Sequence, residues 1–187
     1  MKIYIKYMVS NRCKMMVRAE LDKMEIPCLS IELGEIEIKG SIDAEQIEAL
    51  TKGLRKSGLE LIDDKKSILI EKIKTIVVNL VHNTENFPNK NFSEIIAKKL
   101  SHDYGSLSSL FSTVTGTTIE HYIIANKIER VKELLLYDEL NITEISYLMN
   151  YISVAHLSAQ FKKVTGLTPT YFKNLKHHKK RIALENL

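Results

Sequence analysis

Few side chains in this 187-residue sequence have the types and spacing that catalysis requires. A cysteine nucleophile needs a neighbouring base, most often a histidine, and Cys13 lies in a stretch without one. The six histidines are His82, His102, His121, His156, His177 and His178. The adjacent pair near the end lacks the four-residue spacing with which a helix presents two metal ligands. The sequence therefore predicts a protein that is not an enzyme and has no cofactor.

Residues 141–172 have the pattern of two short helices joined by a turn. Asn141 followed three residues later by Glu144 is typical of a capping box at a helix start. Ser153 opens a second helix, and Gly166 ends it because a helix often closes with a left-handed residue. Two short helices of this kind form a helix-turn-helix, whose second helix enters the major groove of DNA.

The same pattern occurs a second time, in residues 92–116. Both copies end in Phe-x-x-Val-Thr-Gly, at Phe111–Gly116 and at Phe161–Gly166, which gives a repeat spacing of 50 residues. Between the copies, an apolar stripe from Thr118 to Leu136 predicts one long helix. Two such units would present two recognition helices on one side of the protein. Successive major-groove segments of B-DNA lie about 34 Å apart.

Over residues 84–175 the sequence resembles the AraC/XylS-type transcriptional regulators. The matching residues are Leu100, Leu107, Phe111, Thr115-Gly116, Tyr122, Lys127-Ile128, Leu134-Leu135, Ile142, Glu144-Ile145, Tyr151, Phe161-Lys162-Lys163, Thr165-Gly166, Pro169 and Tyr171. The resemblance implies an all-α domain of seven helices with two recognition helices in successive major-groove segments. It also implies a bacterial protein that binds DNA sequence-specifically and regulates transcription.

The resemblance also implies which residues contact DNA. On the first recognition helix they are Tyr104, Gly105, Ser108, Ser109 and Ser112. On the second they are Ser153, Val154, Ala155, His156, Ala159, Gln160, Lys162 and Lys163. Neither helix offers an arginine for guanine, so Gln160 and His156 are the long polar readers. We expect Lys162 and Lys163 to bind phosphates, and affinity to depend mainly on phosphate contacts and DNA shape.

The first 64 residues predict strands and helices in the order βαββαβ, the ferredoxin-like split unit. The expected strands span 2–9, 26–33, 35–39 and 59–62, and the expected helices span 11–24 and 41–57. Two helices on one face of the sheet would bury Ile3, Ile5, Ile36 and Ile38, or their alternates. The opposite face, with Tyr4, Lys6 and Met8, is an open place for a ligand or a second subunit.

This first domain is also similar to small metal-carrier domains of the same topology, which hold a Cys-x-x-Cys pair at the first helix. Cys13 matches the first ligand, and Met16 stands where the second would be. One thiolate and one thioether make a poor zinc site, although they are soft enough for Cu(I). A partly buried thiol beside gap-filling methionines is the favoured interpretation, so no metal site is predicted.

Whole-chain properties narrow the protein class without identifying it. The formal net charge of +4 permits DNA binding but would not by itself suggest it. Two cysteines cannot build a disulfide framework, which favours a reducing compartment. No run of residues has the length of a signal peptide or of a membrane span, so a cytoplasmic location and no membrane partner are expected.

We expect four segments along the chain. They are a ferredoxin-like sensor or dimerisation domain at 1–64, a connecting helix at 65–83, an AraC-type DNA-binding domain at 84–176 and a basic tail at 177–187. The expected partners are double-stranded DNA and RNA polymerase, and the first domain leaves open a small-molecule effector or a homodimer. A competing interpretation keeps the helix-turn-helix fold but regulates by contacting another protein, with weak or no specific DNA binding.

Overall fold

The computed structural model of this protein describes residues 1–62, 64–82 and 91–175. In chain order the elements are β1 (Lys2–Lys6), α1 (Asn11–Lys23), β2 (Cys28–Glu32), β3 (Glu35–Ile38), α2 (Ala44–Arg55), β4 (Glu60–Ile62), α3 (Lys65–His82), α4 (Phe92–Leu100), α5 (Tyr104–Thr115), α6 (Ile119–Tyr137), α7 (Ile142–Leu148), α8 (Val154–Thr165) and α9 (169–175). None of the helices in these ranges has the length and apolar character needed to cross a membrane.

The chain divides into two compact units. The first comprises Met1–Val78 with Lys99–Ser101, and the second comprises Asn79–Lys98 with the chain from His102 onward. Helix α3 therefore begins in the first unit and ends in the second. The segment boundaries expected from the sequence stay a prediction, and its basic tail at 177–187 lies outside the described residues.

The first unit is built on a four-stranded antiparallel sheet in the order β2-β3-β1-β4. Side chains alternate between the two faces of a strand, so every second residue of β1 and β3 points to the same side. Ile3, Ile5, Ile36 and Ile38 are buried in one cluster with residues of α1 and α2 such as Leu21 and Leu54. The predicted burial of the four isoleucines is therefore confirmed.

The prediction that Met8 shares a sheet face with Tyr4 and Lys6 was wrong. Strand β1 ends at Lys6, and Tyr7 has a positive φ of 66°. A left-handed residue interrupts the alternation of side chains, so the residue after it no longer follows the strand's pattern. Met8 is accordingly 2% exposed and belongs to the core on the opposite side.

Helix α3 lies over part of the sheet face that carries Tyr4. The Lys72 ammonium is 4.7 Å from the centre of the Tyr4 ring and 3.7 Å from a carboxylate oxygen of Glu35. A Cβ atom added to Gly34 would lie 3.1 Å from the hydroxyl oxygen of Thr75, so the backbone and the helix approach closely there. This part of the face is therefore covered by the chain itself.

The second unit is organised around α6, which contacts α5, α7 and α8. The stripe predicted from the sequence is buried on this helix, at Ile119, Ile123, Ile128, Val131, Leu134 and Leu135. Each of the two predicted recognition helices adds a leucine and a phenylalanine with at most 1% exposure, Leu107 and Phe111 on α5 and Leu157 and Phe161 on α8. One long helix thus supplies the core for both helix-turn-helix units.

Helices α5 and α8 end in the same way. The hydroxyls of Thr115 and Thr165 each donate to the carbonyl oxygen four residues earlier, both at 2.8 Å. Gly116 and Gly166 follow with φ of 72° and 77°, the left-handed closure expected from the sequence. The predicted capping box at Asn141 is also confirmed, with Glu144. Local sequence therefore fixes where these helices begin and end.

The two helix-turn-helix motifs differ by one residue in the length of their turns. Ile96 and Ile145, both fully buried on the first helices, are 49 residues apart, whereas Phe111 and Phe161 are 50 apart. The extra residue falls in the second turn, where Ile152 is 91% exposed. The predicted spacing of 50 therefore holds for α5 and α8 and not for the helices before them.

Replacing Gly166 with Ala should lower the free energy of unfolding by about 1–2 kcal/mol, because an L-residue is strained at this φ. An added Cβ meets no atom within 4 Å, so the loss reports backbone conformation alone. Urea denaturation measures the change. Gly166→Asn should recover part of the loss, since Asn tolerates this region better, and equal midpoints for Gly, Asn and Ala would contradict the account.

Candidate nucleic-acid interface

The predicted contact residues of α5 lie on the side of the helix away from its core. Gly105 and Ser109 are exposed, and Tyr104, Ser108 and Ser112 are half-buried at the margins. Residues four apart in a helix share a face, so Ser108 and Ser112 follow Tyr104 along one edge. The surface is uncharged, because α5 contains no acidic or basic residue. It offers serine hydroxyls and, at Gly105, a site of close backbone approach.

Tyr104 has a partner within the protein. Its hydroxyl donates to the Glu120 carboxylate of α6 at 2.5 Å. Burial and this hydrogen bond raise the pKa of Tyr104 well above its usual range, and the Tyr104 hydroxyl lowers the pKa of Glu120. The pair therefore joins a neutral phenol to a carboxylate and fixes the start of α5 against the start of α6.

Helix α8 combines a polar surface with two basic residues. Ser153 precedes it as N-cap, and the exposed predicted residues on it are Ala155, His156, Ala159, Lys162 and Lys163, with Val154 and Gln160 half-buried. Arg130 and Lys132 of α6 pair with Glu133 and Glu129, and Lys173 pairs with Asp138. Across the described ranges no carboxylate lies in ion-pair reach of Lys162 or Lys163. Their charge is therefore available to a phosphate.

The starts of α5 and α8 differ as anion sites. At α5 the Asp103 carboxylate accepts from the Ser106 backbone N–H at 2.9 Å, and its negative charge opposes a phosphate. At α8 the neutral Ser153 hydroxyl accepts from the His156 backbone N–H at 3.1 Å. Backbone N–H groups at a helix start attract phosphate oxygens. The start of α8 is therefore the better phosphate contact.

A small polar cluster lies around Tyr151, at the margin of α8. Tyr151, 6% exposed, donates its hydroxyl to Gln160 Oε1 at 2.7 Å. The Lys127 ammonium is 4.3 Å from the centre of the Tyr151 ring, and the His156 ring meets Tyr151 edge-on at 5.4 Å. These four residues and Glu120 help to line a cavity of about 230 Å³. One of the predicted readers, Gln160, is thus held by a residue outside the predicted contact set.

Burial changes the titration of two members of this cluster. It lowers the pKa of Lys127 to about 8 and raises that of Tyr151 to about 12. The sequence identified both positions only as matches to a family, and it gave no sign that Glu120 would bind Tyr104. A lysine inside the apolar stripe of α6 was the one available signal that Lys127 is buried.

The two candidate metal ligands of the first unit, Cys13 and Met16, lie in different surroundings. The Cys13 sulfur lies 3.4 Å from the Ser10 hydroxyl oxygen and 3.9 Å from the Tyr7 carbonyl oxygen. Burial raises the pKa of this thiol, but hydrogen bonds from Ser10 and neighbouring backbone groups outweigh it, so the net pKa is lowered. Met16 is 41% exposed. Within the described ranges no three His, Cys, Asp or Glu side chains converge as metal ligands.

Residues 96–174 match a family of helix-turn-helix domains. Over 70 residues the chain is 33% identical to the xylose operon regulatory protein of Escherichia coli K12, covering 37% of this chain and 18% of that protein. Residues 96–174 form an AraC-type helix-turn-helix domain. The resemblance predicted from the sequence is thereby confirmed for this range.

A second relative extends beyond the AraC-type domain. Over 130 residues the chain is 23% identical to the uncharacterized HTH-type transcriptional regulator YdeC of Bacillus subtilis, covering 70% of this chain and 44% of that protein. The chain thus spans less than half the length of these two curated relatives.

Solved structures share the fold of the AraC-type domain. The C-terminal domain of AraT, a response regulator from Geobacillus stearothermophilus, has a TM-score of 0.50 at 23% identity, covering 60% of this chain and 88% of that one. The DNA-binding domain of AdpA, a global transcriptional factor solved with a target DNA, has a TM-score of 0.50 at 14% identity, covering 59% and 96%. At these identities the likeness is one of fold.

Replacing Lys127 with Met should flatten the pH dependence of stability. A lysine whose pKa falls from 10.5 to about 8 on folding destabilises the fold while it is charged, and this penalty disappears as pH rises. From pH 7 to 9.5 the unfolding free energy of the wild type should therefore rise relative to K127M, by on the order of 1–2 kcal/mol.

Urea denaturation at several pH values measures this difference, and the subtraction cancels groups that both proteins share. Lys98→Met, at an exposed position of α4, is the matched control and should follow the wild type. Parallel pH curves for wild type and K127M would show that Lys127 keeps its charge in the fold throughout.

Proposed function

We propose that this protein is a transcriptional regulator that binds DNA sequence-specifically, with α5 and α8 in successive major-groove segments. The observation that carries the proposal is the repeated unit, in which two helices with matching ends bury Phe111 and Phe161 and keep their opposite faces exposed. A relative that regulates the xylose operon and a similar fold solved with a target DNA support it.

The two recognition helices divide the work of binding unequally in this proposal. The phosphate contacts come from Lys162, Lys163 and the N-terminal amides of α8. The second helix-turn-helix therefore provides most of the electrostatic affinity. The first helix-turn-helix, through α5, reads with the Ser108 and Ser109 hydroxyls and the close approach that Gly105 permits. Serine is an ambiguous reader, because its hydroxyl both donates and accepts. We therefore expect the second half-site to be the more strictly defined.

The first unit serves, in our proposal, as a ferredoxin-like domain for sensing or dimerisation. The element order and the sheet order β2-β3-β1-β4 support the topology. An apolar cavity of about 470 Å³ between β1, β4, α2 and the start of α3 supports a small apolar effector, and Ile3, Ile42, Ile47, Leu61 and Ile68 help to line it. Its volume falls within the usual range of small-molecule sites. RNA polymerase as partner and a cytoplasmic location follow from the proposed role.

Selection of sheared genomic DNA on the purified protein should recover a motif with two half-sites about 10–10.5 base pairs apart, because each recognition helix enters its own major-groove segment. Sequencing of the fragments retained at about 50 and 200 mM salt measures it. Retention without a motif would reduce the proposal to phosphate-driven binding. The absence of retention at either salt would favour regulation through protein contacts.

Replacing Lys162 with Ala, or Lys163 with Ala in a second variant, should weaken binding to all sequences and leave the recovered motif unchanged. Each lysine that neutralises a phosphate releases about 0.9 counterion, so the slope of log K against log salt should fall by about 1 per lysine. Fluorescence anisotropy at several salt concentrations measures the slope.

The control for each of these variants is Lys52→Ala, which also removes one positive charge. Lys52 lies on α2 of the first unit, where its side chain is 71% exposed. It should change the salt slope little. An equal slope for wild type and both α8 variants would place the phosphate contacts elsewhere in the protein.

A further inference from the structure

We infer that Tyr151 is a positioning residue for base readout, because it fixes the side-chain amide of Gln160 so that the amide nitrogen faces the DNA as a donor. The inference rests on the proposed function and deepens it. Tyr151 itself is buried and touches no base in this arrangement. Its effect on DNA passes through the hydroxyl that it donates to Gln160 Oε1 at 2.7 Å.

Tyr151 is held firmly enough to act as such an anchor. The Lys127 ammonium lies 4.3 Å from the centre of its ring, and His156 packs edge-on at 5.4 Å. An ammonium over a ring face and an edge-on ring pair are both attractive contacts. The hydroxyl is protonated at neutral pH even at the ordinary tyrosine pKa of about 10, and burial raises its pKa further, to about 12. The ring is thus contacted from two sides, and its hydroxyl donates to Gln160 Oε1.

The chemistry of an amide decides what Gln160 then presents. A glutamine carries one carbonyl oxygen as acceptor and one NH₂ group as donor at the two branches of the same end. When Oε1 is turned toward Tyr151, Nε2 occupies the opposite branch. In the major groove guanine, adenine and thymine all carry acceptors, whereas cytosine presents only its amino donor. At the base whose edge it meets, a fixed Gln160 therefore selects against cytosine, while a freely rotating amide could turn its oxygen to accept from cytosine.

The first helix-turn-helix unit lacks this device, which provides an internal comparison. The residue 50 positions before Gln160 is Leu110, and the residue 49 positions before Tyr151 is His102. The backbones correspond there, since Tyr151 N–H donates to the Ser146 carbonyl and His102 N–H donates to the Ala97 carbonyl. Among the described residues, the tyrosine-glutamine pair thus occurs in the second helix-turn-helix and not in the first.

The test is the base preference of the full chain carrying Tyr151→Phe, which keeps the ring and removes the hydroxyl. Binding to a duplex library randomised across the second half-site measures it, with random-sequence DNA as the reference for non-specific affinity. Discrimination against cytosine at one base pair should fall about threefold to tenfold, the worth of one hydrogen bond. Affinity for random DNA should stay the same.

A double-mutant cycle separates positioning from a general structural effect. If Tyr151 acts through Gln160, Y151F should change nothing further in a Q160A background. Gln160→Glu, at the half-buried surface, removes the donor without touching the core and should shift preference toward cytosine at the same base pair. Tyr137→Phe is the matched control, because this tyrosine is 70% exposed at the end of α6, and it should leave the profile unchanged.

Each outcome decides the inference. A Y151F profile identical to that of the wild type would overturn it while leaving the proposed function intact. A loss of discrimination by Y151F that persists in the Q160A background would overturn it too, because the hydroxyl would then act by another route. A wild-type protein without any recovered motif would overturn the proposed function itself. Coupled, non-additive losses at one base pair would support the inference.

Discussion

The second unit depends on the burial of two phenylalanines, one from α5 and one from α8. Phe111 and Phe161 are fully buried, and their ring centres lie 5.7 Å from the Tyr122 ring and 5.6 Å from the Phe172 ring. Truncating a buried phenylalanine to alanine costs about 3–5 kcal/mol, a large fraction of the stability of an ordinary domain. Because these rings hold the inner faces, the outer faces of α5 and α8 are free to carry whatever chemistry recognition requires.

The caps and the cores of this protein are readable in its sequence, because they arise from residues close to one another in the chain. Asn141 with Glu144, and Gly116 and Gly166, predicted the helix ends where the structure has them. The alternation of Ile36 and Ile38 predicted the buried face of the sheet. In each case one local rule, an unsatisfied backbone group or a period of two, leaves few alternatives.

The features that the sequence did not predict depend on single residues or on distant partners. Because Tyr7 is left-handed, Met8 lies on the other side of the sheet from the predicted one. Tyrosine seldom has a positive φ, so the sequence does not indicate this turn. One added residue in the second turn, where Ile152 lies, raises the repeat spacing from 49 before the turn to 50 after it. Tyr104 and Glu120 are sixteen residues apart, and their hydrogen bond exists only once α5 and α6 have packed. The candidate reading surface was located by family resemblance rather than by such rules, and its DNA contacts remain proposals.

Helix α8 has both ends capped by its own residues, so its outward-facing residues can change without affecting the caps. Ser153 satisfies the first turn, and Thr165 with Gly166 satisfies the last, so the backbone between them is complete without help from the residues that face outward. Only Leu157 and Phe161 of this helix are fully buried. The outward-facing residues of α8 could therefore be substituted together while five residues are kept: Ser153, Leu157, Phe161, Thr165 and Gly166. Natural variation can retune the same surface without first having to redesign the fold.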